Sequence, residues 1–321
     1  MKNVTTVSAF LAIAFFGAAC GGDDGDNPSC LGSGHGATPT CGPWASNVEE
    51  GGEFRIELQT SGTDGSVTAA THGYFYKDQQ PARRALGGPE VVAGSGCVDM
   101  TQGVYFDNGA PAASVALADT RTYLDLGAEI KITSAEQTHV LTKQANMMDL
   151  SSYLVHDIVY LPESTDGAAY LRNKKFNVEW DAGGELGAMD LTEPVAAQGV
   201  EVVSQLFVPP VMSNITPSLE APLTMPATGD LTFTYDLPER AADAPPLLQF
   251  AVFYNPVTGG VDYQCVYDEP TGSMTLPRAL IDKLPANGFM YFGTFAHVGH
   301  KQSGRRLDLV GVSCTYQEWN K

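Results

Sequence analysis

Two groups of side chains in this sequence could do chemistry: its thiols and one basic cluster. Cysteines stand at Cys20, Cys30, Cys41, Cys97, Cys265 and Cys314. Thiols pair as disulfides, bind soft metals or attack electrophiles, and spacing and surroundings decide among these. No Cys-x-x-Cys and no tight Cys/His spacing occurs, so neither a zinc site nor any other cofactor is expected. Cys30 and Cys41 are close enough in sequence to close a small loop. Cys265 and Cys314 lie in strand-like runs and could staple one domain, which leaves Cys97 unpaired. Sequence alone does not fix connectivity, so this pairing is an expectation about which strands come together.

The basic cluster is His297 to Arg306 (HVGHKQSGRR). It gathers His297, His300, Lys301, Arg305 and Arg306 in a chain whose formal net charge is −19. Gly299 and Gly304 supply turn freedom between two strand-like runs, so a hairpin tip is expected. Such a tip can hold an anionic partner: a phosphate, an acidic sugar or a carboxylate-rich protein surface. The plainer reading is a solvated basic turn. His297 and His300 lack the further ligands that a zinc site needs. The other basic pairs, Arg83-Arg84 and Lys174-Lys175, sit beside turns and read as solvated charge.

No catalytic constellation emerges. Gly311-Val312-Ser313-Cys314-Thr315 lacks the final glycine of a nucleophile elbow and lies in a strand-like run. Asp23, Asp24, Asp26 and Asn27 offer oxygen ligands but not the spacing or closing glutamate of a calcium loop. Paired carboxylates abound in any acidic β protein, so no glycosidase pair can be chosen. The acidity itself argues against nucleic acid as a partner. The protein is therefore read as not an enzyme.

The elements that must position these groups are strands. Phe54, Ile56 and Leu58 alternate with Arg55 and Glu57; Phe176, Val178 and Trp180 alternate with Asn177 and Glu179; Leu231, Phe233 and Tyr235 alternate with Thr232 and Thr234. A period of two puts one face in a core and the other in water. Gly (34) and Pro (20) punctuate the chain too densely for many long helices. Thr142 to Leu150 is a candidate helix, and Pro277 to Leu284 a better one, with proline opening it and Pro285 closing it. Phe207 to Pro217 (FVPPVMSNITP) marks a boundary, because adjacent prolines donate nothing to a ladder. The fold class expected is all-β: two antiparallel β-sandwich domains, at 47–210 and 215–321. The second, with strands near 230–236, 247–254, 261–267, 272–276, 288–298 and 306–317, resembles an immunoglobulin-like or fibronectin-like sandwich. A bulge near Leu309 is expected, since apolar residues change parity there.

The N-terminus gives the address. A charged start (Met1, Lys2) is followed by an apolar run, Val7 to Phe16, then Gly17, Ala18, Ala19 and Cys20. The run spans about 15 Å as a helix against roughly 30 Å of hydrocarbon, so it reads as an export signal and not a membrane span. Export leads to an oxidising compartment, where disulfides persist. Residues 20–46 are rich in Gly, Asp, Ser, Thr and Pro and read as a flexible acidic tether.

Gly17-Ala18-Ala19-Cys20 resembles the lipobox of bacterial lipoproteins, with Gly17 where leucine is usual. The resemblance implies a signal peptide at 1–19, lipidation of Cys20 and attachment to a membrane through acyl chains. Gly21, in place of aspartate, implies the outer membrane. The Cys-Gly-Gly-Asp-Asp tether, Leu124-Asp125-Leu126-Gly127 and the Gly272 to Pro285 segment carry a wider likeness. They resemble lipoproteins of Gram-negative bacteria, especially predatory, gliding soil forms, a likeness that brings no known activity. The expectation is a membrane-anchored envelope protein with a structural, adhesive or partner-binding role, its partner an envelope protein or glycan. The alternatives are a glycan-binding module, for which exposed aromatics on one sheet face would discriminate, and an envelope hydrolase, which would need converging carboxylates or a metal.

Overall fold

The computed structural model describes residues 50–77, 90–92, 97–99, 117–118, 122–149, 154–181, 200–242, 244–257, 260–267, 269–302 and 305–321. The strands, in chain order, begin with β1 (Glu50–Ser61), β2 (Val67–Lys77), β3 (Glu90–Val92), β4 (Cys97–Asp99), β5 (Leu117–Ala118), β6 (Thr122–Tyr123) and β7 (Glu129–Thr133). Then come β8 (Thr138–Asp149), β9 (Leu154–Pro162), β10 (Lys174–Asp181), β11 (Val200–Val208), β12 (Ser213–Thr216), β13 (Leu223–Thr224) and β14 (Leu231–Asp236). The chain ends with β15 (Leu247–Asn255), β16 (Gly260–Tyr267), β17 (Ser273–Leu276), helix α1 (Arg278–Lys283), β18 (Asn287–Gln302) and β19 (Arg305–Asn320).

All-β is therefore the class. The main sheet runs β11-β10-β7-β8-β9-β2-β1-β19-β18-β15-β16-β4-β3, with β5, β6 and β13 pairing at its sides. It is mixed, not purely antiparallel, because β1 and β19 run parallel from Glu50↔Arg305 to Ser61↔Tyr316. Strands on both sides of the proline-rich boundary share this one sheet. A second sheet, β12-β14-β17, lies apart from it.

One face of the main sheet carries two cores. The first is filled by Phe54, Ile56 and Leu58 of β1, Leu307 and Leu309 of β19, and Phe176, Val178 and Trp180 of β10. Here Trp180 stacks on Phe54, with ring centroids 6.2 Å apart. The sheet curls around this core until β11 packs back on β19. Gly311 makes that contact possible, because a Cβ there would overlap the Phe207 carbonyl oxygen. Beside it the buried Ser313 hydroxyl donates to the Pro209 carbonyl at 2.8 Å. The Phe207-Val208-Pro209-Pro210 segment thus crosses the sheet through a seam of small and polar side chains.

Beyond the seam lies the second core. Ala251, Phe253, Cys265, Met290, Phe292 and Trp319 of the main sheet face Leu231, Phe233 and Tyr235 of β14 and Met274 and Leu276 of β17. Leu280 and Ile281 of α1 join them. The Pro277 to Leu284 helix is present, with Pro277 just outside it. The expected helix from Thr142 is not formed: Thr142 to Asp149 belongs to β8, paired with β9 from Thr142↔Leu161 to Asp149↔Leu154, and Leu150 lies outside the described residues.

The opposite face holds a third cluster, including Phe250, Val252, Tyr291, Phe295, Val310, Val312 and Cys314. This explains the change of parity in β19. Leu307 and Leu309 serve one face and Val310, Val312 and Cys314 the other, and the β18–β19 ladder runs without a register shift. A strand buried on both faces needs no bulge to account for apolar residues at both parities. Among the described strands the register shifts lie elsewhere, at Phe176/Asn177 and Phe253/Tyr254 in the main sheet and at Ser213/Thr216 in the small one.

Candidate functional site

The basic cluster is built from the ends of the two longest strands. The β18–β19 ladder continues through His297↔Val310, His300↔Leu307, Lys301↔Arg306 and Gln302↔Arg305. His297, His300 and Lys301 therefore belong to β18, and Arg305 and Arg306 to β19. Gly299 is no turn residue; it pairs with Asp308 inside the ladder. The cluster ends a long hairpin and is not itself a loop, because strand pairing satisfies more backbone groups than a wide turn would.

This end has neighbours that sequence proximity hides. Parallel pairing sets Glu50 level with Arg305 and Gly51 level with Arg306. Glu50 is in turn level with Lys77 at the end of β2. Lys77, Lys301, Arg305 and Arg306 so occupy adjacent positions at one end of four neighbouring strands, with Glu50 among them; Glu49 and Asp78, the chain neighbours of Glu50 and Lys77, lie outside the described residues. Glu53 and Asp308, level with each other, come two positions further down.

A second polar group was not legible in the sequence. Arg55, Glu57 and Gln59 have the parity expected to meet water, yet their exposures are 2%, 0% and 5%. Arg55 Nη1 lies 3.6 Å from Glu57 Oε2, and Gln59 Nε2 donates to Glu57 Oε1 at 2.7 Å. Gln59 is level with Cys314. Burial, then the nearby Glu57 carboxylate, pushes the Cys314 thiol well above its ordinary range. Burial likewise raises the Tyr291 phenol, whose ring lies 5.6 Å from that of Tyr316. A reactive cysteine needs the reverse, a cationic surrounding that favours thiolate. This arrangement holds the thiol protonated and suits packing, not nucleophilic attack.

The cysteine pairing departs from expectation. Cys265 bonds to Cys97, with Cα atoms 4.0 Å apart, and Cys314 is a buried free thiol. The Cys265–Cys314 staple fails on geometry. β15 and β18 separate the two strands, about 14 Å at sheet spacing, against a bridging limit near 7 Å. The two side chains also belong to cores on opposite faces. Cys97 carries little strand signal in sequence, because β4 is only three residues long and comes from far upstream. The Tyr267 hydroxyl stands 3.7 Å from Cys97 Sγ, and burial raises its pKa. Cys20, Cys30 and Cys41 lie outside the described residues.

Among the described residues, no three His, Cys, Asp or Glu side chains come together to hold a metal ion. No described helix is long and apolar enough to cross a membrane. The outward face of the small sheet carries Thr232, Thr234 and Asp236 of β14 and Ser273 and Thr275 of β17, all exposed. Thr232 and Thr275 hydrogen bond there at 2.9 Å. This described face presents hydroxyls and no aromatic rings.

No protein-family model matches the chain, and no curated protein matches it.

Proposed function

We propose that this is an outer-membrane lipoprotein, acylated at Cys20, whose folded β body serves a structural, adhesive or partner-binding role in the envelope. The observation that carries this reading is the leader: a charged start, a short apolar run and small residues end at a cysteine, and a polar, Gly- and Asp-rich sequence follows it before the first described strand. The folded part is consistent with a non-catalytic role, since its one described free thiol is held protonated inside a core. We read the body as two sandwich-like halves fused through the main sheet. The C-terminal half, β14 and β17 over β15, β16, β18 and β19, is the immunoglobulin-like one. Intact-mass measurement of protein from native membranes tests the anchor. Added acyl mass at a chain beginning with Cys20 is expected, and globomycin should block the processing. An unmodified chain starting elsewhere would refute it.

A further inference from the structure

We infer that the ring-bearing end of the face shared by β15, β18 and β19 binds a neutral saccharide. This rests on the proposed partner-binding role and gives it a ligand class; acylation of Cys20 plays no part in it. Four rings gather there. Tyr254 of β15 is level with Phe289 of β18, and Tyr291 of β18 with Tyr316 of β19. All four belong to the third cluster, on the face opposite the two larger cores. The ring centroids of Tyr254 and Phe289 lie 6.5 Å apart, and those of Tyr291 and Tyr316 5.6 Å. Tyr254, Phe289 and Tyr316 are half-buried, so each keeps part of its surface in water. Tyr291 is 4% exposed, yet no hydrogen bond ties its hydroxyl to the described fold. The same holds for the hydroxyls of Tyr254 and Tyr316. The register shift at Phe253/Tyr254 falls beside this patch, and such a shift re-aims a side chain.

The rim decides what the rings can meet. By parity Gln264, Asn287 and Asn320 stand on the same face, Gln264 half-buried and both asparagines exposed. Their amides too are uncommitted in the described fold. Glu318, exposed and level with Phe289, adds one carboxylate. Among the described residues, the register positions of this end carry no lysine or arginine. Lys321, next in sequence, is turned away, its ammonium donating to the Asp282 and Leu284 carbonyls at the end of α1. Thr258 and Gly259, which lie between β15 and β16 outside the described residues, carry no charge. A phosphate, sulfate or uronate would thus meet a carboxylate and no cation. A cationic ligand needs rings gathered around it, and these lie side by side along a sheet. A stable protein partner buries about 800 Å² on each side, more than four largely covered rings offer. A sugar ring suits both parts of the patch. Its C–H faces stack on aromatic rings, and its hydroxyls exchange hydrogen bonds with amides, phenols and a carboxylate.

The test uses the full chain with Cys20→Ala, run through native gels cast with hydroxyethyl cellulose, laminarin or galactomannan, and with polygalacturonate as the anionic comparison. Retardation is expected in at least one neutral gel and not in polygalacturonate. Tyr254→Ala with Tyr316→Ala should weaken it about tenfold or more, read from the polysaccharide concentration at half-retardation. Tyr291→Phe should weaken it severalfold and leave the melting temperature unchanged, because its hydroxyl bonds nothing in the described fold. Thr232→Ala with Thr275→Ala, on the outward face of the small sheet, should leave retardation as it is. Circular dichroism of each variant confirms its fold. No retardation in any neutral gel, equal retardation of the Tyr254 and Tyr316 double variant, or retardation by polygalacturonate alone overturns the inference. Intact mass of the native protein reports the anchor separately, so failure of that reading is seen apart from this one.

Discussion

Burial at single side chains sets how this protein responds to mutation and pH. The Arg55–Glu57 pair is the sharpest case, since both groups lie inside the fold at 3.6 Å. Removing the Glu57 charge takes one partner from a buried arginine, so Glu57→Gln should destabilise, by up to about 3–5 kcal/mol in urea unfolding. Arg55→Met with Glu57→Leu should cost far less than either single change, and a double-mutant cycle reads the difference. His139 contributes a pH dependence of its own. Its ring stacks on Tyr170 at 3.9 Å, and burial depresses its pKa. The unfolded chain then binds the proton first as pH falls, so this contribution is intact above pH about 6.5 and lost as pH drops through the depressed value. His139→Phe should flatten that slope in thermal melts taken between pH 5 and 7. Cys314 should resist thiol reagents until the protein unfolds, with labelling that tracks denaturant. Sequence reading reached the identity of these groups but not their burial. An arginine and a glutamate at alternate positions read as a wet face, and only the apolar surface beside them on β19 reverses that.

At the scale of strands, the period-two signal located most of the C-terminal half because its patterns are strict. Leu231, Phe233 and Tyr235 are all buried, with exposed threonines between them. The signal failed where a strand is buried on both sides, as in β19, and where a short polar stretch borrows its conformation from neighbours, as in Thr142 to Asp149 of β8. Turn chemistry was more legible. Leu124-Asp125-Leu126-Gly127 leads into β7, and Gly127 sits at φ +100°, where a side chain would strain the backbone. The Asp125 carboxylate accepts from Gly127 N at 2.9 Å and pairs with Lys143, which first among its neighbours lowers its pKa. Tyr160 locks the turn, accepting from Leu126 N at 2.8 Å and donating to the Gly127 carbonyl at 3.0 Å. Tyr160→Phe should therefore cost about 1–3 kcal/mol in unfolding free energy by orphaning the Leu126 amide. Gly311 controls how β11 lies on β19. Gly311→Ala should lower stability by at least about 2 kcal/mol, because the obstacle is the Phe207 backbone and cannot rotate aside.

Over the whole molecule, two long-range links join chain segments that sequence order keeps apart. The Cys97–Cys265 bond spans 168 residues. Chain-entropy reasoning assigns such a link about 5 kcal/mol, so Cys97→Ser with Cys265→Ser should lower the melting temperature by several degrees or more. Neither this link nor the β1–β19 pairing was legible beforehand, since both depend on which distant strands become neighbours, and local pattern carries no such information. The parallel pairing has a temporal consequence. β1 has no partner on one side until β19 has been made, so this part of the sheet is completed only when the residues of β19 arrive. During synthesis β1 waits half-paired and open to mispairing until residue 320 arrives. A stop codon placed before β19 should therefore yield degraded material in place of a shortened, folded body.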